Sequence, residues 1–164
     1  MMYITDNSRI LSREELSTPE EITNEIPLDK ESSKLIFGAR RSISQILHRQ
    51  DDRLIVVVGP CSIHDPKAAL EYAKLLKDFS SSVENELMVV MRVYFEKPRT
   101  TIGWKGLIND PRLDNSFKIN EGLRISRKLL KDIADLGMPT GTEFLDLISP
   151  QYVSDLVCWG AIGA

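Results

Sequence analysis

The chain has few cysteines, little net charge and no long apolar run. It holds two cysteines among 164 residues, and its net charge is −3. Lysines and arginines alternate with carboxylates along most of the sequence, which argues against a nucleic-acid-binding surface. No apolar run approaches the roughly 20 residues that a membrane-spanning helix needs. The N-terminal region has neither the basic segment nor the apolar segment of a secretory signal. We therefore expect a soluble cytoplasmic protein that binds neither nucleic acid nor membrane.

The two cysteines, Cys61 and Cys158, could in principle form a disulfide. In a chain of this size and intracellular character, however, two cysteines are more often free thiols or metal ligands. We expect no structural disulfide here.

Residues 1–50 differ from the rest of the chain and predict a helical N-terminal extension that packs on another part of the protein. Ser17, Thr18 and Pro19 have the order of a helix start, in which a hydroxyl caps the helix and proline occupies its first turn. Apolar residues at helical spacing predict a second helix from about Glu31 to His48.

Residues 51–164 alternate short apolar strands with amphipathic helices, which is typical of an α/β fold with a parallel sheet and right-handed crossovers. The unbroken apolar run Leu54–Val58 predicts a first strand covered on both faces. The other predicted strands are at Leu87–Val93, Gly141–Leu145 and Trp159–Ala164. Helices are predicted to start at Asp65–Pro66 and Ser149–Pro150, where Asp65 and Ser149 would cap them, and at about Ile119. The sequence stops inside its fourth strand, so we interpret it as truncated.

Reactive side chains follow the first two predicted strands. Cys61 comes shortly after the first strand. A group of cations lies at and after the end of the second strand: Arg92, Lys97, Arg99 and Lys105. Because the carboxyl ends of parallel strands share one face, both clusters are expected to converge on one anionic, metal-assisted site. Guanidinium groups bind carboxylates and phosphates in bidentate fashion. A packed small thiol and a solvated strand end are the alternatives for these two clusters.

Three further features have open interpretations. His64 could share a metal site with the thiol three positions earlier, or it could hydrogen-bond the following helix start. Glu143 could transfer a proton or form an ion pair. The loop at residues 103–111 is long enough to be a lid or binding loop, although it could also be a packed surface loop.

Four motifs in this order resemble the class I 3-deoxy-D-arabino-heptulosonate 7-phosphate synthases. The motifs are Gly59-Pro60-Cys61-Ser62-Ile63-His64-Asp65, Arg92 with Lys97-Pro98-Arg99-Thr100, Gly103-Trp104-Lys105-Gly106-Leu107-Ile108, and Trp159-Gly160-Ala161-Ile162-Gly163-Ala164. The resemblance covers essentially the whole chain but only about the first half of a family member. It implies the first half of a (β/α)8 TIM barrel with an N-terminal helical extension.

The resemblance also implies a reaction, the condensation of phosphoenolpyruvate with erythrose 4-phosphate that releases phosphate and opens aromatic amino acid biosynthesis. By this resemblance Cys61 is a ligand of one divalent metal ion, which could be Mn, Fe, Co or Zn. Its other three ligands would lie beyond Ala164. The resemblance implies that Arg92 and Lys97 contact phosphoenolpyruvate. It implies that Arg99 and Thr100 contact the sugar phosphate and that Pro98 and Lys105 also belong to the substrate-binding site. Gly163 and Ala164 would form part of a phosphate cradle.

Finally, the resemblance implies feedback inhibition by an aromatic amino acid. It also implies a homo-oligomer, a dimer or tetramer at full length, and a regulatory or oligomerisation role for residues 1–50. Asp6 and Asn7 would form the effector site across subunits with Pro150 and Gln151. The loop sequences favour the phenylalanine-sensitive form. An alternative function is a non-catalytic binding or oligomerisation module derived from the same enzyme.

Overall fold

The computed structural model describes residues 5–7, 9–10, 12–98 and 102–163. Two helices come first, and strands then alternate with helices, as the sequence predicted. The elements are α1 (Pro19–Glu25), α2 (Lys30–Leu47), β1 (Leu54–Val58), α3 (Pro66–Ser82), β2 (Leu87–Arg92), α4 (Ile119–Asp135), β3 (Thr140–Phe144), α5 (Pro150–Val153), a single 3-10 turn (Ser154–Leu156) and β4 (Trp159–Ile162).

The four strands form one parallel sheet in the order β1-β2-β3-β4. The β1–β2 pair is in register over its whole length, from Leu54 opposite Leu87 to Val58 opposite Met91. Each connection between neighbouring strands contains a helix, so the sheet is the four-stranded α/β unit expected of half a barrel. All four strands therefore end at the same edge.

The core lies between this sheet and the helices α2, α3 and α4. The most deeply buried apolar side chains include Val90 and Met91 of β2 and Leu130 and Ile133 of α4. No helix in the described part of the chain is both long enough and apolar enough to cross a bilayer.

β1 departs from the prediction that it is covered on both faces. Leu54 is 67% exposed, and Val57 and Val58 are also exposed. Within the described ranges β1 pairs with β2 alone, so it forms one edge of the sheet. Its sequence has the apolar character of an interior strand, but the structure leaves its outer edge without a neighbouring strand.

Helix caps agree with the prediction at two of the three expected sites. The Thr18 hydroxyl accepts from the Glu21 N–H in a capping box, and the Asp65 carboxylate accepts from two N–H groups at the start of α3. At α5 the prediction was wrong, because the Ser149 side chain makes no cap hydrogen bond. The Ser149 N–H donates to the Asp146 carboxylate at 2.7 Å, and the Ser149 hydroxyl donates to a side chain outside α5.

A fully buried arginine joins the N-terminal extension to the α/β unit. Arg127 of α4 donates to the Ile26 carbonyl just after α1 at 2.8 Å and to the Tyr152 carbonyl in α5 at 2.7 Å. Its two terminal nitrogens also bind both carboxylate oxygens of Asp155 at 2.7 and 2.8 Å. This one side chain therefore fixes α1, α4 and α5 relative to each other.

We expect the substitution Arg127→Met to lower the free energy of unfolding by about 3 kcal/mol, because it leaves several acceptors of a buried cation unpaired. Urea denaturation of the purified chain measures this loss. Arg41→Met, at an exposed position of α2, is the matched control and should change stability by less than about 0.5 kcal/mol. Equal losses in the two variants would contradict the role of Arg127.

A second prediction concerns the glycine that follows β1. Gly59 has a φ of +152°, and a Cβ there would lie 2.7 Å from the Arg92 backbone oxygen. Gly59→Ala should therefore destabilise the chain, whereas Gly38→Ala in α2, where no atom lies within 4 Å of the added carbon, should stabilise it by about 0.5–1 kcal/mol. Thermal unfolding of both variants tests the pair. A Gly59→Ala protein as stable as the wild type would show that β1 and β2 need not approach so closely.

Candidate active site

The candidate site lies at the edge where the strands end. β1 leads into Gly59, Pro60 and Cys61, and β2 ends at Arg92. Since β1 and β2 are neighbours in the parallel sheet, the residues that follow them lie side by side. This is the arrangement predicted from the sequence.

Arg92 is held by the loop that follows β1. Its Nε donates to the Gly59 carbonyl at 3.1 Å and to the Pro60 carbonyl at 3.2 Å, and its Nη2 donates to the Gly59 carbonyl at 2.6 Å. The guanidinium also lies over the Tyr94 ring, 5.5 Å from its centroid. Among the described residues none accepts from Nη1, so the fixed cation keeps donor capacity for an anion.

Cys61 and Lys97 come together as expected. The Lys97 ammonium donates to the Cys61 sulfur at 3.2 Å. Both cysteines are free, Cys61 exposed and Cys158 buried, in agreement with the prediction that they form no disulfide. The thiol is therefore an exposed group at the site edge and not a packed core residue.

Lys97 is supported by a short ladder of paired residues, the 96/106 ladder, which comprises residues 95–98 and 104–106. Glu96 pairs with Gly106 in an antiparallel bridge, and the Lys97 N–H donates to the Lys105 carbonyl at 3.1 Å. A Cβ at Gly106 would lie 2.1 Å from the Phe95 carbonyl oxygen. Glycine is therefore required for this close pairing.

Other predicted substrate positions lie on or beside this ladder. Pro98 is exposed at the end of its first segment, whereas Arg99 and Thr100 lie outside the described residues. Lys105 is half-buried and lines a cavity of about 510 Å³ with Trp104 and other loop residues. The Trp104 indole donates to the Asp110 carbonyl at 2.7 Å, so the 103–111 loop is braced internally.

Sequence reasoning missed a buried acid directly beside Lys97. Glu96 is 9% exposed, and its carboxyl accepts from the Ser149 hydroxyl at 3.1 Å. Burial, followed by the hydrogen bond and the charge of Asp146, raises the pKa of Glu96 to about 7. Burial opposes ionisation of Asp146 too, but hydrogen bonds from the Ser149 backbone, Glu96 and the Ile148 backbone outweigh it and lower the pKa of Asp146. A carboxylate inside a cationic run was the only sequence signal for this acid.

The remaining predicted positions are more scattered. Gly163 lies at the end of β4, and its N–H donates to the Phe144 carbonyl at 3.0 Å; Ala164 lies outside the described residues. Asp6 and Asn7 are exposed and hydrogen-bonded to each other, and Pro150 and Gln151 lie in α5. Among the described residues, no hydrogen bond or ion pair joins these two pairs within one chain.

Two open features of the sequence also have positions. His64 is exposed in the loop before α3, and Glu143 is half-buried in β3. The described residues contain no group of three or more His, Cys, Asp or Glu side chains that could hold a metal ion. Cys61 can therefore supply one ligand of a metal site, and the described part of the chain does not complete the set.

Sequence comparison gives a consistent family. The model of the DAHP synthetase I family matches residues 22–164. A phospho-2-dehydro-3-deoxyheptonate aldolase of Amycolatopsis methanolica is 57% identical over 159 residues, which are 97% of this chain and 78% of that protein. The Phe-sensitive aldolase of Escherichia coli K12 is 56% identical over all 164 residues, which correspond to 47% of its length.

Further relatives include a tyrosine-inhibited aldolase of Schizosaccharomyces pombe, 54% identical over 97% of this chain and 43% of that protein. The solved structure of the aldolase from Francisella tularensis SCHU S4 superposes with a TM-score of 0.90 at 53% identity, covering 94% of this chain and 46% of that one. The chain thus spans about half the length of most of these relatives. It belongs to the DAHP synthetase I family.

Proposed function

We propose that this chain supplies part of the active site of an enzyme that condenses phosphoenolpyruvate with erythrose 4-phosphate and releases phosphate. The observation that carries the proposal is the fixed cation pair, Arg92 and Lys97, beside the Cys61 thiol at the ends of two neighbouring strands. Both substrates are anionic. In a chain of net charge −3, cations gathered at a strand edge favour small anions over any extended polyanion.

The two cations have different roles in this proposal. Arg92 is pre-oriented by two carbonyls and an aromatic ring, so it binds phosphoenolpyruvate without first losing side-chain freedom. Lys97 is a mobile point charge that neutralises the same substrate. Arg99, Thr100, Pro98 and Lys105 are proposed to hold the sugar phosphate. Gly163, whose N–H donates to the Phe144 carbonyl, and Ala164 are proposed to form part of the phosphate cradle.

Cys61 fits a divalent transition metal as one ligand, because an exposed thiol at a strand end is a soft donor suited to such ions. The ion, Mn, Fe, Co or Zn, would polarise the aldehyde of erythrose 4-phosphate when bound. Lys97 orients the Cys61 sulfur through their hydrogen bond.

The proposed function also includes regulation by an effector and assembly into an oligomer. The E. coli and S. pombe relatives are named for sensitivity to phenylalanine and inhibition by tyrosine. We infer an aromatic amino acid effector here too, bound by Asp6 and Asn7 of one subunit and by Pro150 and Gln151 of another in a homo-oligomer. Residues 1–50 would then be the regulatory extension on the α/β unit of residues 51–164, in a cytoplasmic enzyme.

A chimera tests the activity directly. This chain would replace the 164 matching residues of the E. coli relative, to which it is 56% identical, and phosphate release would be measured with both substrates and Mn²⁺. We expect activity comparable to that of the parent enzyme. Arg92→Ala and Lys97→Ala should each lower kcat/KM by at least about 100-fold, since each removes a charge from the substrate anion.

The matched control for these variants is Lys74→Ala, which removes a cation from an exposed position of α3. It should leave kcat/KM within about twofold of the chimera. A folded chimera without turnover, or with equal losses in all three variants, would contradict the proposal.

The 164-residue chain alone should not turn over. The described sheet has open edges at β1 and β4, and Cys61 is one ligand where the family implies four. The same phosphate assay on the purified chain, with Mn²⁺ added, should show no rate above the blank. Turnover near that of an intact relative would overturn this prediction.

A further inference from the structure

The Glu96 carboxyl lies where two separate parts of the chain meet. Glu96 belongs to the 96/106 ladder, which carries Lys97. The groups around its carboxyl come from the loop between β3 and α5, which we call the 145–149 loop. The Ser149 hydroxyl donates to the Glu96 carboxyl at 3.1 Å, and besides burial, Asp146 of the same loop is the charged neighbour that raises the pKa of Glu96. The mechanism proposed above gives this buried acid no role.

The hydrogen bonds decide which carboxyl of the pair carries the proton. The Asp146 oxygen Oδ1 accepts from the N–H groups of Ile148 at 2.6 Å and Ser149 at 2.7 Å, and such donors stabilise the ionised form. A hydrogen bond between two carboxyl groups needs one proton. Glu96, more deeply buried, is therefore the protonated donor and Asp146 the carboxylate acceptor.

We propose that Glu96 is a positioning residue whose protonated carboxyl fastens the 96/106 ladder to the 145–149 loop, holds Lys97 beside Cys61, and releases the ladder on ionisation. The ladder and the loop are about 50 positions apart in sequence, and the Ser149 hydroxyl of the loop donates to the Glu96 carboxyl of the ladder at 3.1 Å. We call the contact of Glu96 with the 145–149 loop the clasp. The part played by Lys97 rests on the proposed function, whereas the clasp does not.

The charges around Glu96 give the direction of the pH effect. Asp146 faces it from the 145–149 loop, and Lys97 and Lys105 flank it on the ladder. Lys97 directs its ammonium to Cys61, and Asp146 is the charged group that acts on the Glu96 carboxyl. Ionised Glu96 would place a second negative charge against Asp146, so the clasp is held at low pH and lost as pH rises.

The linkage has a definite sign and size. The pKa of Glu96 is about 7 in the closed structure, whereas a glutamate in its ordinary surroundings has a pKa of 4.5. The stabilisation that Glu96 gives to the clasp is therefore complete below pH 4.5 and is lost as pH rises through about 7. If the opened state has the ordinary value, the opening constant grows about tenfold between pH 6 and pH 8.

Amide hydrogen exchange on the purified chain, without substrates or metal, tests the proposal. The reporters are the N–H groups of Ile148 and Ser149, which donate to Asp146, and of Lys97, which donates to the Lys105 carbonyl. Protection factors, corrected for intrinsic exchange, should fall about tenfold from pH 6 to pH 8 in the wild type. In Glu96→Gln, whose amide can donate to Asp146 but cannot ionise, they should stay constant. The matched control Glu71→Gln, at an exposed position of α3, should keep the wild-type profile.

Each other outcome overturns a stated part of the proposal. A flat wild-type profile, or the same fall in Glu96→Gln, excludes the clasp. A fall at Ile148 and Ser149 without one at Lys97 excludes the positioning role. Carboxyl carbon NMR of glutamate-labelled chain gives a second measurement, in which one signal absent from Glu96→Gln should titrate near pH 7. None of these measurements uses turnover. A negative result here would therefore overturn the clasp without affecting the proposed function, which the chimera assay tests separately.

Discussion

The hydrogen bonds from Arg92 to the Gly59 and Pro60 carbonyls join the ends of β1 and β2, and the other parts of the site are placed relative to them. The guanidinium can reach these carbonyls because Gly59 lets the β1 loop pass close to the Arg92 backbone. Pro60 then directs the chain to Cys61. The same contacts orient the arginine and locate the thiol, so one interaction sets the positions of both the cation and the sulfur.

Cations crowded at one strand edge repel each other, and the structure offsets this with nearby acceptors. The Gly59 and Pro60 carbonyls accept hydrogen bonds from Arg92, and the Cys61 sulfur accepts a hydrogen bond from Lys97. Glu96, the carboxyl closest in sequence to these cations, is buried and directed toward Asp146 and Ser149. A neutral Glu96 does not compete with a substrate anion for Lys97. The site therefore keeps its positive potential, while a buried acid connects it to a second loop.

Much of this arrangement could be predicted from the sequence. The apolar runs predicted the strands, the parallel topology predicted the meeting of Cys61 with Lys97, and local capping patterns predicted the starts of α1 and α3. The Glu96–Asp146 pair could not be predicted, because it joins residues about 50 positions apart and depends on a loop with no periodic pattern. The exposure of β1 was missed for a related reason: an apolar run indicates that a strand prefers burial, but not whether a neighbouring strand lies within the chain.

The sheet itself explains why the recognised features concentrate at β1 and β2. These strands pair over five residues, from Leu54–Leu87 to Val58–Met91, whereas β2 and β3 pair over two. The longest ladder therefore ends directly before Arg92 and three residues before Cys61, so both follow its most regular part. Lys97 lies beyond this ladder, on the short 96/106 pairing, and needs separate support. Glu96 provides that support from the side of β3, so the least regular part of the site is the part that a change in protonation can move.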